Sequence, residues 1–186
     1  MEHYVAPEGA QRIRATVTHS VSCGSMRVMI ASPPEGDIMA HSFTDLLTHT
    51  IFSTKMRAPL ISDEIRGEVF AYLGGIVKHI GGKALLVNGT ADHVHMLIRL
   101  PADVPVAECM RSVKANASKW VHEHWPDQEG FEWQIGYAAF SVSLSQRDVV
   151  YRYIQGQEEH HRKRSFADEM SAIFKKYGGD VAAFLE

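Results

Sequence analysis

The sequence predicts an α+β domain built on one antiparallel sheet. Two observations carry this: apolar residues recur at three- and four-residue steps in two long stretches, and β-branched or alternating runs lie before, between and after them. Size is the third. At 186 residues the chain has room for one ordinary domain plus an extension. Apolar residues at 45% and charged residues at 22% match a water-soluble globular protein and exclude collagenous, disordered and disulfide-scaffold classes.

The first strand is Leu46-Leu-Thr-His-Thr-Ile-Phe-Ser53, rich in β-branched and apolar residues and closed by polar Thr54-Lys55. Ser62 is placed to cap a helix whose first turn carries Asp63 and Glu64, with Ile65, Val69, Tyr72, Leu73, Ile76 and Ile80 as its apolar stripe. Gly81-Gly82 ends it. Lys83-Ala-Leu-Leu-Val-Asn88 and His93-Val-His-Met-Leu-Ile-Arg-Leu100 read as a hairpin turning through Gly89-Thr-Ala-Asp92. Pro105 suits a helix start, and Val106, Met110, Val113, Ala117, Trp120 and Val121 form the second stripe, which stops before Trp125-Pro126. A fourth strand is expected over about 132–143, then a helix capped by Ser145-Gln-Arg-Asp148 and running to about His161. A last helix, about 165–177, ends at Gly178-Gly179. The order β-α-β-β-α-β is the ferredoxin-like split arrangement. It implies an antiparallel sheet with helices on one face and an extra C-terminal helix bearing Tyr153.

Residues 1–38 have no sustained helical or strand period and are scattered with Ser, Pro and Gly, so they read as a flexible extension, with Met39 a candidate true start. Residues 39–186 form the single expected domain. The net charge of -3 rules out a broad positive surface, so an anionic partner has to be held locally. Cys23 and Cys109 are far apart with no CxxC spacing, which argues against a zinc ribbon or a disulfide framework and for a reducing cytoplasm. The longest strongly apolar stretch, 69–77, is far short of the ~18–20 residues of a membrane span, and the N-terminus lacks a signal-peptide pattern.

Chemistry concentrates in four residues. His93 and His95 are two apart on a strand, where side chains alternate faces, so both imidazoles project to one side. His122-Glu-His124 has the same spacing on a helix end, where two-residue steps diverge by about 200°, and serves as an internal control. Tyr153 and Gln157, four apart, share a helix face and can offer a hydroxyl nucleophile beside an amide oxygen for a cation; Tyr151 faces substantially elsewhere. Lys55, Arg57, Arg111, Lys114, Lys119, Arg162, Lys163 and Arg164 are the candidate phosphate contacts. The polar run Glu158-Glu-His-His-Arg-Lys-Arg164 also has the composition of a solvated helix end.

Taken in order, these motifs resemble the single-tyrosine transposases of the HUH endonuclease class, found in the smallest bacterial insertion sequences and related to REP-associated transposases. The resemblance covers nearly all of residues 42–175. It rests on Thr48-His-Thr-Ile-Phe-Ser-Thr-Lys55, Asp92-His-Val-His-Met-Leu97, Ser118-Lys-Trp120 and Gly136-Tyr-Ala-Ala-Phe-Ser-Val-Ser143, followed by Tyr153-Ile-Gln-Gly-Gln157-Glu-Glu-His-His-Arg162. It implies that His93, His95 and Gln157 bind a divalent ion, Mg2+ or Mn2+, and that Tyr153 attacks a phosphodiester to form a 5′-phosphotyrosine. It further implies single-stranded DNA with hairpin ends as partner, and a homodimer in which the segment between Phe140 and Tyr153 acts as a hinge.

Two other readings share these residues. A host-retained enzyme that nicks and joins palindromes would lack matched hairpins flanking its gene. A non-catalytic nucleic-acid-binding module of the same layout would carry an aromatic RNP-type pattern on its central strands and would have no need of the His pair, Tyr153 and Gln157 together.

Overall fold

Backbone pairing in the computed structural model, which describes residues 43–185, joins β1 (Leu46–Ser53), β2 (Lys83–Gly89), β3 (His93–Leu100) and β4 (Ala138–Ser141) into an antiparallel sheet of order β2-β3-β1-β4. This is the predicted ferredoxin-like arrangement. The readings of residues 1–38 and of Met39 lie outside the described residues. Register sorts the side chains: Ile51 pairs with His95 and Ser53 with His93, so the two histidines share a face with Leu47, His49, Ile51 and Leu97. Phe52, Val94, Met96, Ile98 and Leu100 take the opposite face.

That second face is covered by α1 (Asp63–His79) and α2 (Val106–His124), whose stripes through Ile65, Val69, Leu73 and Val77 and through Met110, Val113, Ala117 and Val121 are buried against it. Each large aliphatic side chain buried there stabilises the fold by roughly 1.5–3 kcal/mol. Cys109 is part of this core, and burial pushes its thiol up to about 11, which leaves it an inert apolar group at neutral pH.

The histidine face is covered by the C-terminal helices. Ile154 of α3 (Arg147–Gln155) packs with Leu47 and Leu97, while Phe166 and Met170 of α5 (Phe166–Tyr177) pack with Ile51, Ala138 and Phe140. Between them lies the five-residue α4 (Gln157–His161), and α6 (Ala182–Leu185) follows. The two crossover helices thus occupy one face, and the extra tyrosine-bearing helix closes the other.

Three local expectations are corrected. The fourth strand is shorter than 132–143: Trp133 makes an isolated bridge to Thr54, Gly136 turns the chain at φ +89°, and regular pairing covers Ala138–Ser141. The expected helix from Ser145 to His161 is two helices, because the chain breaks at Gly156 and the Asn88 amide takes the carbonyls of Ile154 and Gln155 at 2.8 and 3.1 Å. Ser145 makes no cap; its hydroxyl meets Ser143 at 3.0 Å. The Ser-x-x-Asp box forms one helix later, where Ser165 Oγ accepts from the Asp168 amide at 3.2 Å and donates to Asp168 Oδ2 at 2.7 Å.

Candidate metal and tyrosine site

The β2–β3 turn positions the first half of the site. Gly89 has no side chain because a Cβ there would stand 2.1 Å from the His93 carbonyl oxygen, and the tight turn this allows carries Thr90 and Asp92. Both reach back to His93, whose Nδ1 lies 2.7 Å from Asp92 Oδ1 and 2.8 Å from Thr90 Oγ1. His95 Nδ1 lies 3.0 Å from Nε2 of His49, a buried ring stacked beside it from β1. With both Nδ1 atoms engaged, both Nε2 atoms face the same interior point.

Helices α3, α4 and α5 supply the second half. Tyr153 and Gln157 lie on either side of the Gly156 break and still converge: the Tyr153 hydroxyl donates to Glu169 Oε1, and Gln157 Nε2 donates to the same oxygen at 3.0 Å. The other carboxylate oxygen, Oε2, is 3.7 Å from His95 Nε2, 3.9 Å from His93 Nε2 and 2.9 Å from His161 Nε2. Exposure is 1% for His93, 0% for His95 and Gln157, and 2% for Glu169, so these four groups are withdrawn from water, while Tyr153 and His161 are partly exposed.

Burial and charge set the protonation. Burial, reinforced by the His95 ring, pushes His49 down to about 3, and burial pushes His95 down to about 4, so both are neutral imidazoles at pH 7. Burial and then the Glu169 carboxylate raise the Tyr153 phenol well above its ordinary value. Burial would push Glu169 up, but the adjoining His161 and His95 rings and the Tyr153 hydroxyl more than reverse it and hold the carboxyl well below the usual carboxylate range. Burial likewise works against His161, and the adjoining Glu169 carboxylate reverses that, raising His161.

The donor set fits a divalent cation. Nε2 of His93, His95 and His161, Oε1 of Gln157 and Oε2 of Glu169 are all buried without a hydrogen-bond partner among the described residues. Left so, each orphaned polar atom costs about 1–3 kcal/mol, and a bound ion satisfies them together.

The sequence-derived quartet His93, His95, Tyr153 and Gln157 is therefore brought to one place. The control pair is not: His122 Nε2 meets the Phe131 carbonyl and His124 Nδ1 the Trp120 carbonyl, both at 2.9 Å. Tyr151 is exposed on α3 and takes no part. His49, Asp92, Glu169 and His161 went unassigned in the sequence reading. Glu169 had a signal, an acid at a three-step position within the apolar stripe Phe166, Met170, Ile173.

The eight cationic candidates do not form one surface. Arg111, paired with Glu108, and Lys119, 3.8 Å from Glu123, belong to α2 on the face away from the site. Lys114, also on α2, is drawn inward: its ammonium donates to the carbonyls of Gln134 and, at 2.6 Å, Gly136, and burial lowers its pKa. Lys55 is paired with Glu132 at 2.5 Å, and Arg162 and Lys163 with Glu159 at 3.1 and 2.9 Å. Arg57 and Arg164 are at the site: the Arg57 guanidinium lies 5.8 Å over Phe166, whose ring is 4.7 Å from His93. Arg164 lines, with Lys176, Gln146, Ile173 and Tyr177, a cleft of about 500 Å³ that opens beside Tyr153.

Comparison with known proteins places the fold and the family of the chain. A crystal structure of a Deinococcus radiodurans R1 protein assigned as a transposase has the same fold, with TM-score 0.52 and 21% identity over 65% of this chain and 97% of its own. The structure of a REP-associated tyrosine transposase bound to a REP hairpin aligns with TM-score 0.47 and 10% identity, over 69% of this chain and 73% of its own. The transposases of insertion sequence element IS200 from Salmonella typhimurium and Salmonella typhi are each 27% identical over 89 residues, 48% of this chain. The chain spans 59% of the length of these two relatives. Residues 42–157, from the edge of β1 through the His pair and Tyr153 to Gln157, match the family described as "Transposase IS200 like". The chain belongs to the IS200-like transposase family.

Proposed function

We propose that the protein cleaves and rejoins single-stranded DNA at hairpin-bearing ends, with Tyr153 as nucleophile and a divalent ion held by His93, His95 and Gln157. One observation carries the reading: Tyr153 and Gln157 bond to one oxygen of Glu169 while His93 and His95 flank the other, so nucleophile and ligand candidates surround a single buried carboxylate. A bound Mg2+ or Mn2+ supplies charge neutralisation at a non-bridging phosphate oxygen.

The chain's own residues do the rest. Thr90 and Asp92 fix the His93 ring, and His49 fixes that of His95. Glu169 holds the Tyr153 hydroxyl as a neutral phenol until substrate arrives, since its carboxylate accepts that proton's hydrogen bond. In the reaction Tyr153 Oη loses its proton and forms a bond to phosphorus, the P–O3′ bond breaks, and the departing O3′ takes up a proton to leave as the 3′-hydroxyl. The new phosphotyrosine ester conserves the bond for attack by another 3′-hydroxyl, so strands are joined without ATP. Arg57 and Arg164 are the cations best placed to meet the flanking backbone. Residues 39–186 form the catalytic unit, as a homodimer. Within one chain the Tyr153 ring already lies 6.0 Å from that of His95, which supports assembly in cis.

The test is incubation of the purified protein and Mg2+ or Mn2+ with a labelled hairpin oligonucleotide, followed by denaturing electrophoresis. A covalent protein–DNA adduct is expected, lost in Tyr153→Phe; an undiminished adduct in that variant would refute the assignment.

A further inference from the structure

The family match ends at residue 157, yet the centre of the site is completed by two residues beyond it, His161 of α4 and Glu169 of α5. Their geometry has the marks of ligands. His161 Nδ1 lies 3.2 Å from the Arg164 carbonyl oxygen, which can only accept, so Nδ1 carries a hydrogen, and the neutral ring presents its Nε2 lone pair inward, 2.9 Å from Glu169 Oε2. His93 and His95 are organised in the same way, each with Nδ1 engaged outward and Nε2 buried and unpartnered. Three imidazoles oriented alike by outer hydrogen bonds are the arrangement metal-binding histidines adopt.

Glu169 is a carboxylate at an apolar position. It sits in the apolar stripe of α5, at 2% exposure, between Phe166 and Met170, which anchor the helix on Ile51, Ala138 and Phe140. Removing a carboxylate from water costs several kcal/mol unless it is paired; no Lys or Arg contacts it among the described residues, and the groups around it are histidines, His161 nearest at 2.9 Å. Only one of its oxygens is hydrogen-bonded; the other faces the three Nε2 atoms. One donor atom from each of His93, His95, His161 and Glu169 can be chosen so that all four lie within 4.8 Å of one another. Ligand bonds of about 2.0–2.2 Å around one ion span up to about 4.4 Å, so slight contraction seats a cation there.

We propose that His161 and Glu169 are ligands of the ion, which makes the centre a three-histidine, one-carboxylate site for a first-row transition-metal dication, with Gln157 as an accessory oxygen donor. This rests on the reading of His93 and His95 as an ion seat. The donor set decides the class of metal: Mg2+ prefers oxygen ligands and retains its waters, whereas a nitrogen-rich cluster favours Mn2+ and the later dications.

Titrating the full-length, metal-stripped protein with Mn2+ alone tests this, with free Mn2+ read by its electron paramagnetic resonance signal and folding checked by circular dichroism. Wild type should bind Mn2+ more tightly than Mg2+ in competition. Glu169→Gln, which keeps the shape and the Gln157 contact, and His161→Asn should each weaken Mn2+ binding about 10–100-fold. Pulsed resonance should detect three coupled imidazole nitrogens in wild type and two in His161→Asn, a change that a purely structural role would not produce. If Glu169→Gln fails to fold, His161→Asn decides alone. Wild-type affinity and three coupled nitrogens in His161→Asn would overturn the proposal while leaving the His pair standing, provided His95→Asn still loses the ion. Undiminished binding in His95→Asn would instead overturn the ion seat itself.

Discussion

His49 Nε2 lies 3.0 Å from His95 Nδ1 across the paired strands β1 and β3, and the two buried rings stack with centroids 5.2 Å apart. The contact engages Nδ1 of His95, and in the tautomer where Nδ1–H donates to His49 the Nε2 lone pair is left for the interior. His49→Leu strands that donor in the core, at a cost of about 1–3 kcal/mol, and frees the ring to turn. The expected result is a lower melting temperature and about 10–100-fold weaker Mn2+ binding by calorimetry, with His49→Gln, which keeps an acceptor, falling between Leu and wild type. Equal affinities in all three proteins would remove His49 from the site.

Acid should destabilise the metal-free protein earlier than carboxylates alone would cause. The folded state holds His49 at about 3 and His95 at about 4 against an ordinary 6.5, so below pH 6.5 the unfolded chain binds more protons and stability falls with pH. The stabilisation is fully present above 6.5 and lost progressively down to the folded values, at roughly 2 kcal/mol per histidine between pH 6.5 and 5. Glu169, held below its ordinary range, adds to the loss once pH drops under 4.5. Urea denaturation in the presence of a chelator at pH 7, 6 and 5 should show this slope, and His49→Leu should flatten it. A stability independent of pH over that interval would contradict the buried neutral imidazoles.

Lys114 and Lys163 should separate cleanly. The Lys114 ammonium clamps the carbonyls on both sides of Ile135, so Lys114→Met is expected to cost about 1–3 kcal/mol in denaturant unfolding. Lys163, on an exposed ion pair with Glu159, should change stability by no more than about 0.5 kcal/mol when replaced by Met. The reverse order would mean that the Lys114 clamp is not formed in solution.

Gly89→Ala puts a Cβ 2.1 Å from the His93 carbonyl oxygen and 3.0 Å from Val94 Cα, both backbone atoms that cannot swing aside. The turn must open, at about 1–3 kcal/mol, and Thr90 and Asp92 lose their hold on His93. Thermal melting and Mn2+ titration should both report the loss, whereas Gly130→Ala, where nothing lies within 4 Å, should melt close to wild type.

Local periodicity accounts for what could be read directly from the residues. Alternation along a strand puts His93 and His95 on one side, a four-residue step brings Tyr153 near Gln157, and two amphipathic stripes among strand-like runs fix the order of elements; all three depend on neighbours along the chain. The same reasoning set His122 and His124 apart, and they are apart. It could not say which helix lies on which face, so Arg111, Lys114 and Lys119 were grouped with cations that sit across the sheet from them. Nor could it see Gly136 and Gly156 breaking their elements, because the partners that stabilise those breaks, Lys114 and Asn88, are remote in sequence. The centre of the site is the clearest case. His49 reaches His95 across 46 residues, and Glu169 meets Tyr153 because Phe166 and Met170 bury against Ile51, Ala138 and Phe140 and carry the carboxylate inward with them. Such contacts are set by which apolar surfaces close on one another, a nonlocal choice that no spacing within a single segment records.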